Sequence, residues 1–303
     1  MTQSIDLSCY QWSLSQPIHY EHTVIDFTLQ SLYDKPSWYD DFSNSTSNFK
    51  TNAMSWSNQV VPHLIAVPQE AVSYNPPVKA RFDSLIDDLN DLTKYPEDGD
   101  SLQDASNQIK GIEQIQIKLI GDIATLIGKL SNYESILPHD ESQQQMYVNA
   151  SQAQIASNQA SINNLQTEIE RLNKEIKKLN KVVYPTQSMI VAQQSIQKDK
   201  AKIQSDQQQI NNYQQDNNTL QSWINSLVIM MHDNSTARSG SEHVMYIWNQ
   251  LNDLLREIND ALEQTQSNLS QNQALATTQA QQAQALWNEF EGVCEQLLGY
   301  QYG

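Results

Sequence analysis

The chain is predicted to be all-α: an elongated bundle of about five long helices, with a central coiled-coil hairpin forming a small head. Three observations predict it. Helix breakers are scarce, with 8 Gly and 9 Pro in 303 residues, while straight-chain polar residues abound, including 39 Gln and 26 Asn. Apolar residues recur three and four apart over most of the length. A strict heptad runs through the middle of the chain, and no pair of segments alternates as a strand pair should.

Residues 1–16 read as a polar N-terminal tail. From Pro17 to about Leu64 the spacing is helical in parts and rich in aromatics, among them Tyr20, Phe27, Trp38, Phe42, Phe49 and Trp56. Pro36, Pro62, Pro68 and the pair Pro76-Pro77 are expected to break or kink it. Residues 78–93 form a short amphipathic stretch carrying Phe82, Leu85, Ile86, Leu89 and Leu92. Tyr95-Pro-Glu-Asp-Gly-Asp-Ser101 reads as a loop. Leu102 to Leu137 is a helix with apolar residues at Ile109, Ile112, Leu119, Ile123, Leu126 and Leu130. Its glycines Gly111, Gly121 and Gly128 suggest a close helix approach or a kink, and Pro138-His139-Asp140 is expected to end it.

The heptad follows. Ile155, Ile162, Ile169 and Ile176 recur every seven residues, interleaved with Leu165, Leu172 and Leu179, which is an Ile-at-a, Leu-at-d seam. Tyr184-Pro185-Thr186 interrupts it. A second run carries Ile196, Ile203, Ile210, Tyr213, Leu220, Ile224 and Leu227. Two such arms across a short turn predict an antiparallel hairpin over 141–232. Asp233 to Ser241 reads as a loop, and a last helix is expected from about 241 to 298. The tail domain of the bundle is thus assigned to 17–137 and 241–303. Two further apolar stretches, Ile117–Leu130 and Trp223–Met231, keep bundle spacing and are read as core.

Charge is distributed unevenly. The formal net charge is −17, from 18 basic and 35 acidic residues. Such a chain lacks the basic face that nucleic acid requires. Yet eight of the 18 basic residues lie within 171–202, opposed only by Glu175 and Asp199. That segment carries +6 and the rest −23. Lys174, Lys177, Lys178 and Lys181 precede the turn, and Lys198, Lys200 and Lys202 follow it. Between them lies an uncharged stretch containing Val182, Val183, Tyr184, Pro185, Met189, Ile190 and Val191. One reading is a membrane-touching tip near 182–191 with an anionic-lipid collar of lysines. The other is an ordinary turn whose apolar residues pack together while its lysines pair with nearby acids. The acidity of the remainder favours the first, since anionic lipid repels it everywhere else.

Catalytic patterns are missing from the sequence. His19 and His22 flank Glu21 without a third ligand or an HExxH motif, and there is no GxSxG, P-loop or GxGxxG. The carboxylates around Asp83–Asp91 and Glu97–Asp104 read as solvated charge. No enzyme, cofactor or metal is expected. Two cysteines, Cys9 and Cys294, allow one bridge, which requires the two ends of the chain to meet, and they cannot build a zinc site. No apolar run approaches the roughly 20 residues of a membrane-spanning helix. The start has neither a basic n-region nor an apolar h-region, so any secretion is expected to proceed without a visible Sec signal.

Several segments resemble a known family. Asn52 to Ile65, with Trp56, Pro62 and Leu64, then Tyr74-Asn75 and Phe82-Asp83-Ser84-Leu85, are similar to the N-terminal region of the haemolysin BL and non-haemolytic enterotoxin family, within the cytolysin A-like α-helical pore-forming toxins. Val24 to Leu29 and the late stretch Trp248 to Ile258 resemble the same pattern. The likeness covers roughly 20–137 and 240–298 in order, with the heptad hairpin between; only the ordered set of motifs is specific. The resemblance implies a five-helix tail domain, a head at the end of the hairpin, and a secreted subunit. Such a subunit binds target-cell membrane lipid and assembles with homologous subunits into a lytic pore. Related pore-lining subunits carry a long apolar head segment, whereas this chain has only Val182 to Val191. It therefore resembles a small- or hydrophilic-head accessory component. The alternatives are a structural or adaptor coiled-coil protein and a secretion-system translocator, neither of them lytic.

Overall fold

The computed structural model describes residues 5–181 and 186–302. Among them are six α-helices, one π-helical turn and no strand. The helices are α1 (Tyr10–Asp26), α2 (Tyr39–Ser55), α3 (Val61–Lys94), α4 (Gly99–Leu179), α5 (Thr186–Asn268) and α6 (Gln273–Leu298); the π-helical turn, Trp56–Val60, joins α2 to α3. The all-α class expected from the sequence is what the chain adopts.

Several expected breaks are absent. α3 continues through Pro68, Pro76 and Pro77, and α4 through Pro138. A proline inside a helix costs about 3 kcal/mol. Burial of Leu64, Val67, Ala71, Val78 and Phe82 along α3 offsets that, at roughly 1.5–3 kcal/mol for each large side chain. The 233–241 stretch is helix rather than loop, because Asn234, Ala237, Gly240 and Ser241 face inward at helical spacing. The last helix is not continuous either. α5 ends at Asn268, and α6 restarts after Asn272, whose side chain caps it by accepting from the Leu275 N–H. The polar N-terminal tail is likewise corrected: α1 begins at Tyr10, and Leu7, Tyr10 and Leu14 are buried.

The chain divides into two compact units. The body comprises Met1–His22, Lys50–Pro138 and Asp233–Gly303; the hairpin unit comprises Thr23–Phe49 and His139–His232. The division assigns Thr23–Phe49 to the hairpin unit, where the sequence suggested the tail domain.

The body is a conventional apolar core. Trp56, Trp248, Trp287, Phe82 and Phe290 are entirely buried, as is the α4 face of Ile109, Ile112, Leu119, Ile123, Leu126 and Leu130. The buried polar tips of two tryptophans find partners: Trp248 donates to the Tyr10 hydroxyl at 3.2 Å, and Trp287 to the Asn75 side-chain oxygen at 3.1 Å. Pro17 removes the N–H that the Ser13 carbonyl would otherwise accept. The α5 backbone approaches that carbonyl at Gly240, where a Cβ would lie 2.5 Å from it. Of the α4 glycines, Gly111 lies under the Arg81 guanidinium, whereas Gly121 and Gly128 face open space and mark no close approach.

The hairpin unit packs α2 onto α4 and α5 through aromatics. Phe42 stacks on Tyr147 at 4.3 Å and meets the edge of Trp223 at 5.7 Å. The segment between α1 and α2 is fixed by Asp216 of α5, whose two carboxylate oxygens accept the backbone N–H groups of Tyr33 and Asp34 at 2.8 and 3.0 Å. Of the Trp223–Met231 stretch, Trp223, Ile224, Leu227 and Met230 are core, while Val228 and Ile229 are exposed.

Candidate functional site

The hairpin end of α4 and α5 is where the sequence anomaly falls. The heptad places Ile162, Leu172, Ile176 and Ile210 inside the seam, but Ile155, Leu165, Ile169, Ile196 and Ile203 are only half-buried. Two helices cannot enclose a seam as a multi-helix bundle does, so polar pairs supply the register. Asn158 of α4 donates to the Asn217 side-chain oxygen of α5 at 2.9 Å. Further along, Asp206 occupies a d position of the second heptad run, between Ile203 and Ile210. It is entirely buried, and Lys202 one turn earlier donates to it. Its second oxygen has no partner.

An ion-pair chain extends from this point. Arg171 donates to Glu168 at 2.6 and 2.9 Å and to Glu175 at 2.7 Å. The Arg171 guanidinium holds the Glu168 carboxyl below the usual carboxylate range, with a smaller contribution from the charge of Lys202 across the hairpin. Two of the eight cations are therefore committed within the fold. Lys202, assigned to the lipid collar from the sequence, is one of them.

The other six are free to act outward. Lys174, Lys177, Lys178 and Lys181 on the α4 side, and Lys198 and Lys200 on α5, are exposed and have no described carboxylate within ion-pair reach. Of the apolar tip residues, Met189, Ile190 and Val191 are 47, 55 and 62 % exposed. Val182, Val183, Tyr184 and Pro185 lie outside the described residues. The arrangement presents unpaired cations beside exposed apolar side chains. It can attract an anionic surface and offer it apolar groups.

The possible bridge between Cys9 and Cys294 is not formed. Cys9 is exposed, while Cys294 lies on the core face of α6 and is fully buried. Burial pushes the Cys294 thiol well above its ordinary pKa, reinforced by the charge of Glu291. Among the described residues, no cluster of His, Cys, Asp and Glu could hold a metal, and no helix is long and apolar enough to cross a membrane.

Sequence reasoning missed the Asn158–Asn217 pair, the buried Asp206 and the Asp216 anchor. Asp206 had a signal: a carboxylate at a heptad d position, with Asp199 seven residues before it. Asp216 had none, because its partners are backbone groups 182 and 183 residues away.

Comparison with known proteins agrees with this architecture. The structure resembles the crystal structure of XaxA from Xenorhabdus nematophila, with a TM-score of 0.73 at 13% identity, covering 96% of this chain and 95% of that one. It resembles the XaxAB pore complex from the same organism, with a TM-score of 0.56 at 12% identity, covering 96% of each chain. It also resembles the AhlB pore of the tripartite α-pore-forming toxin AHL from Aeromonas hydrophila, with a TM-score of 0.55 at 12% identity, covering 97% of this chain and 96% of that one. At such identities these likenesses establish the fold. A search of curated protein sequences gives no match. The profile of the Bacillus haemolytic enterotoxin (HBL) family matches residues 27–179, just over half of the chain, including α2, α3 and all of α4. The chain therefore belongs to the Bacillus haemolytic enterotoxin (HBL) family.

Proposed function

We propose that this protein is a subunit of a multi-component α-helical pore-forming toxin, that it is released from the producing cell, and that it engages target membranes through the hairpin end of α4 and α5. It then assembles with homologous subunits into a lytic pore and performs no enzymatic step. Family membership supports the toxin assignment, as does a fold shared with proteins described as parts of a pore complex and of a tripartite α-pore-forming toxin.

The observation that carries the membrane contact is the set of six unpaired lysines beside exposed Met189, Ile190 and Val191, on a chain that is otherwise −23. Each lysine near an anionic surface contributes about 1 kcal/mol, within a Debye length of about 8 Å. The short apolar tip supports an accessory role: the chain binds and recruits a partner whose own head lines the pore.

Liposome binding and dye release test this. The purified chain should bind phosphatidylserine vesicles in a salt-sensitive manner, and leakage should appear only when homologous partner subunits are added. Ile190→Asp with Val191→Asp should abolish both. Leakage by the chain alone would make it a pore former in its own right. No binding and no leakage in any combination would overturn the reading in favour of a structural coiled-coil protein.

A further inference from the structure

The middle of the hairpin unit presents no charge to solvent. Two stretches form it, 142–167 on α4 and 207–232 on α5, of 26 residues each. In a chain that is 17% charged, the first holds no Asp, Glu, Lys or Arg, and the second holds only Asp216. Asp216 is buried and committed to the Tyr33 and Asp34 N–H groups. The hydrogen bond between Asn158 and Asn217 sets the register of the two antiparallel helices. In that register residue 142 lies level with 233 and residue 167 with 208, so the two uncharged stretches coincide. They make one belt. α2 covers part of it through Phe42, Tyr147 and Trp223, and Gln145, Gln159, Gln214 and Gln221 are among its exposed amides.

Such a belt has the composition of an interface. Charge ordinarily keeps a surface solvated and apart from its copies, and its depletion marks the centre of protein–protein contacts. The amides are also held in place. Glutamine donates to the asparagine one turn on at 3.0 to 3.2 Å, from Gln145 to Asn149, Gln159 to Asn163 and Gln221 to Asn225. Side chains ordered in this way lose less entropy on association. Each pair leaves a Gln oxygen to accept and an Asn amide nitrogen to donate, so the surface is complementary to itself. Met146, Val228 and Ile229, exposed within the belt, add apolar area, and the register sets Met146 level with Ile229.

The belt separates unlike charges. Beyond residue 167 lie the unpaired lysines of the hairpin end. At the other end Glu141 of α4 is exposed, and the stack of Phe42 on Tyr147 brings the exposed Asp40 and Asp41 of α2 close to it. The segment Thr23–Phe49 carries four aspartates against Lys35 alone. Two copies lying parallel would bring lysines against lysines. Lying antiparallel, each turns its lysine end towards the carboxylates of the other, and a two-fold axis closes the pair. The belt is about 39 Å long and about 20 Å wide across two helices, which gives one face about 800 Å² per partner, the size of a standard stable interface.

We propose that two copies of this chain pair side by side and antiparallel through the uncharged belt of α4 and α5. The pairing stands apart from the membrane reading, and its test contains no lipid. Sedimentation equilibrium of the full-length chain should show twice the monomer mass below about 100 μM, since interfaces of this size bind at micromolar strength or better. Gln159→Glu with Gln221→Glu puts like charges on both belts and should weaken the dimer at least tenfold. Gln103→Glu breaks the same kind of Gln–Asn pair on α4 outside the belt and should leave the dimer unchanged. Where circular dichroism shows the double variant unfolded, Gln214→Glu serves in its place. Orientation is read from charge. Added salt should weaken an antiparallel pair, as should Lys177→Glu with Lys178→Glu, whereas both would strengthen a parallel one. A monomer at every concentration, a dimer indifferent to the belt variants, or a dimer that salt and the lysine reversals do not weaken overturns the proposal.

Discussion

The body and the hairpin end are built from the same kind of helix but are held together differently. In the body, tryptophan, phenylalanine and leucine side chains are entirely buried and the tryptophan tips at Trp248 and Trp287 are hydrogen-bonded. Along the hairpin, half the seam is partly exposed, and an asparagine pair (Asn158 buried, Asn217 half-buried) and a buried aspartate stand where apolar residues would pack. Apolar burial is strong and non-directional, so it locks the body. Amide and charge pairs contribute about 1 kcal/mol or less each and depend on register, so they hold the hairpin in one alignment at little cost to rearrangement. Under the proposed function, the body is the part that stays folded and the hairpin end the part that meets a new environment.

The comparison can be broken most severely in the body. Trp248→Ala removes a fully buried ring and leaves the Tyr10 hydroxyl without its donor. It should cost about 3–5 kcal/mol in urea unfolding. Ile203→Ala, at a half-buried seam position, should cost clearly less. Equal losses would erase the distinction between the units.

Asp206→Leu should move stability the other way, by about 1–4 kcal/mol, because a buried carboxylate with an unpartnered oxygen is replaced by apolar volume. Melting of the hairpin, followed by a site-specific probe, checks this, and a loss of stability would show that Asp206 contributes more than register.

A third expectation concerns close approach. Gly240→Ala should destabilise by about 1–3 kcal/mol, since its Cβ would collide with the Ser13 carbonyl 2.5 Å away. Gly121→Ala, facing open space on the same bundle, should stabilise by up to about 1 kcal/mol.

The last effect is alkaline. Burial raises Cys294, and Tyr302 is pushed up to about 12, so both stay protonated in the folded chain after their unfolded counterparts ionise. The unfolded state then binds fewer protons, and stability should fall as pH rises above about 8.5, by roughly 1.4 kcal/mol per unit for each group once it titrates. Chemical denaturation across pH 7–10 measures the slope. In the same samples a thiol reagent should modify Cys9 at once and Cys294 only on unfolding.

How far the sequence spoke depends on what holds each part. The Ile and Leu heptads and the apolar stripe of α4 were readable because burial at a fixed period writes itself into the residues. The prolines of α3 and α4 misled, since their local cost is outweighed by side chains buried along the same helix. The stretch Asp233 to Ser241 looked like a loop for a related reason. Its small polar residues are there for contact: Asn234 donates to the Leu137 carbonyl and the Tyr20 hydroxyl, and Gly240 admits the Ser13 carbonyl. At the candidate site the lysine excess was plain, but which lysines are spent internally was not. That depends on Asp206 being buried beside Lys202 and on Glu168 lying within the field of Lys202 across the hairpin.

The most direct test of the account is hydrogen exchange on the chain, free in solution and bound to phosphatidylserine vesicles with its partner subunits. New protection on binding is expected to concentrate in residues 172–200, while the α4 core at 105–130 is slow to exchange in both states. New protection confined to the body, with the hairpin end exchanging as it does in solution, would contradict it.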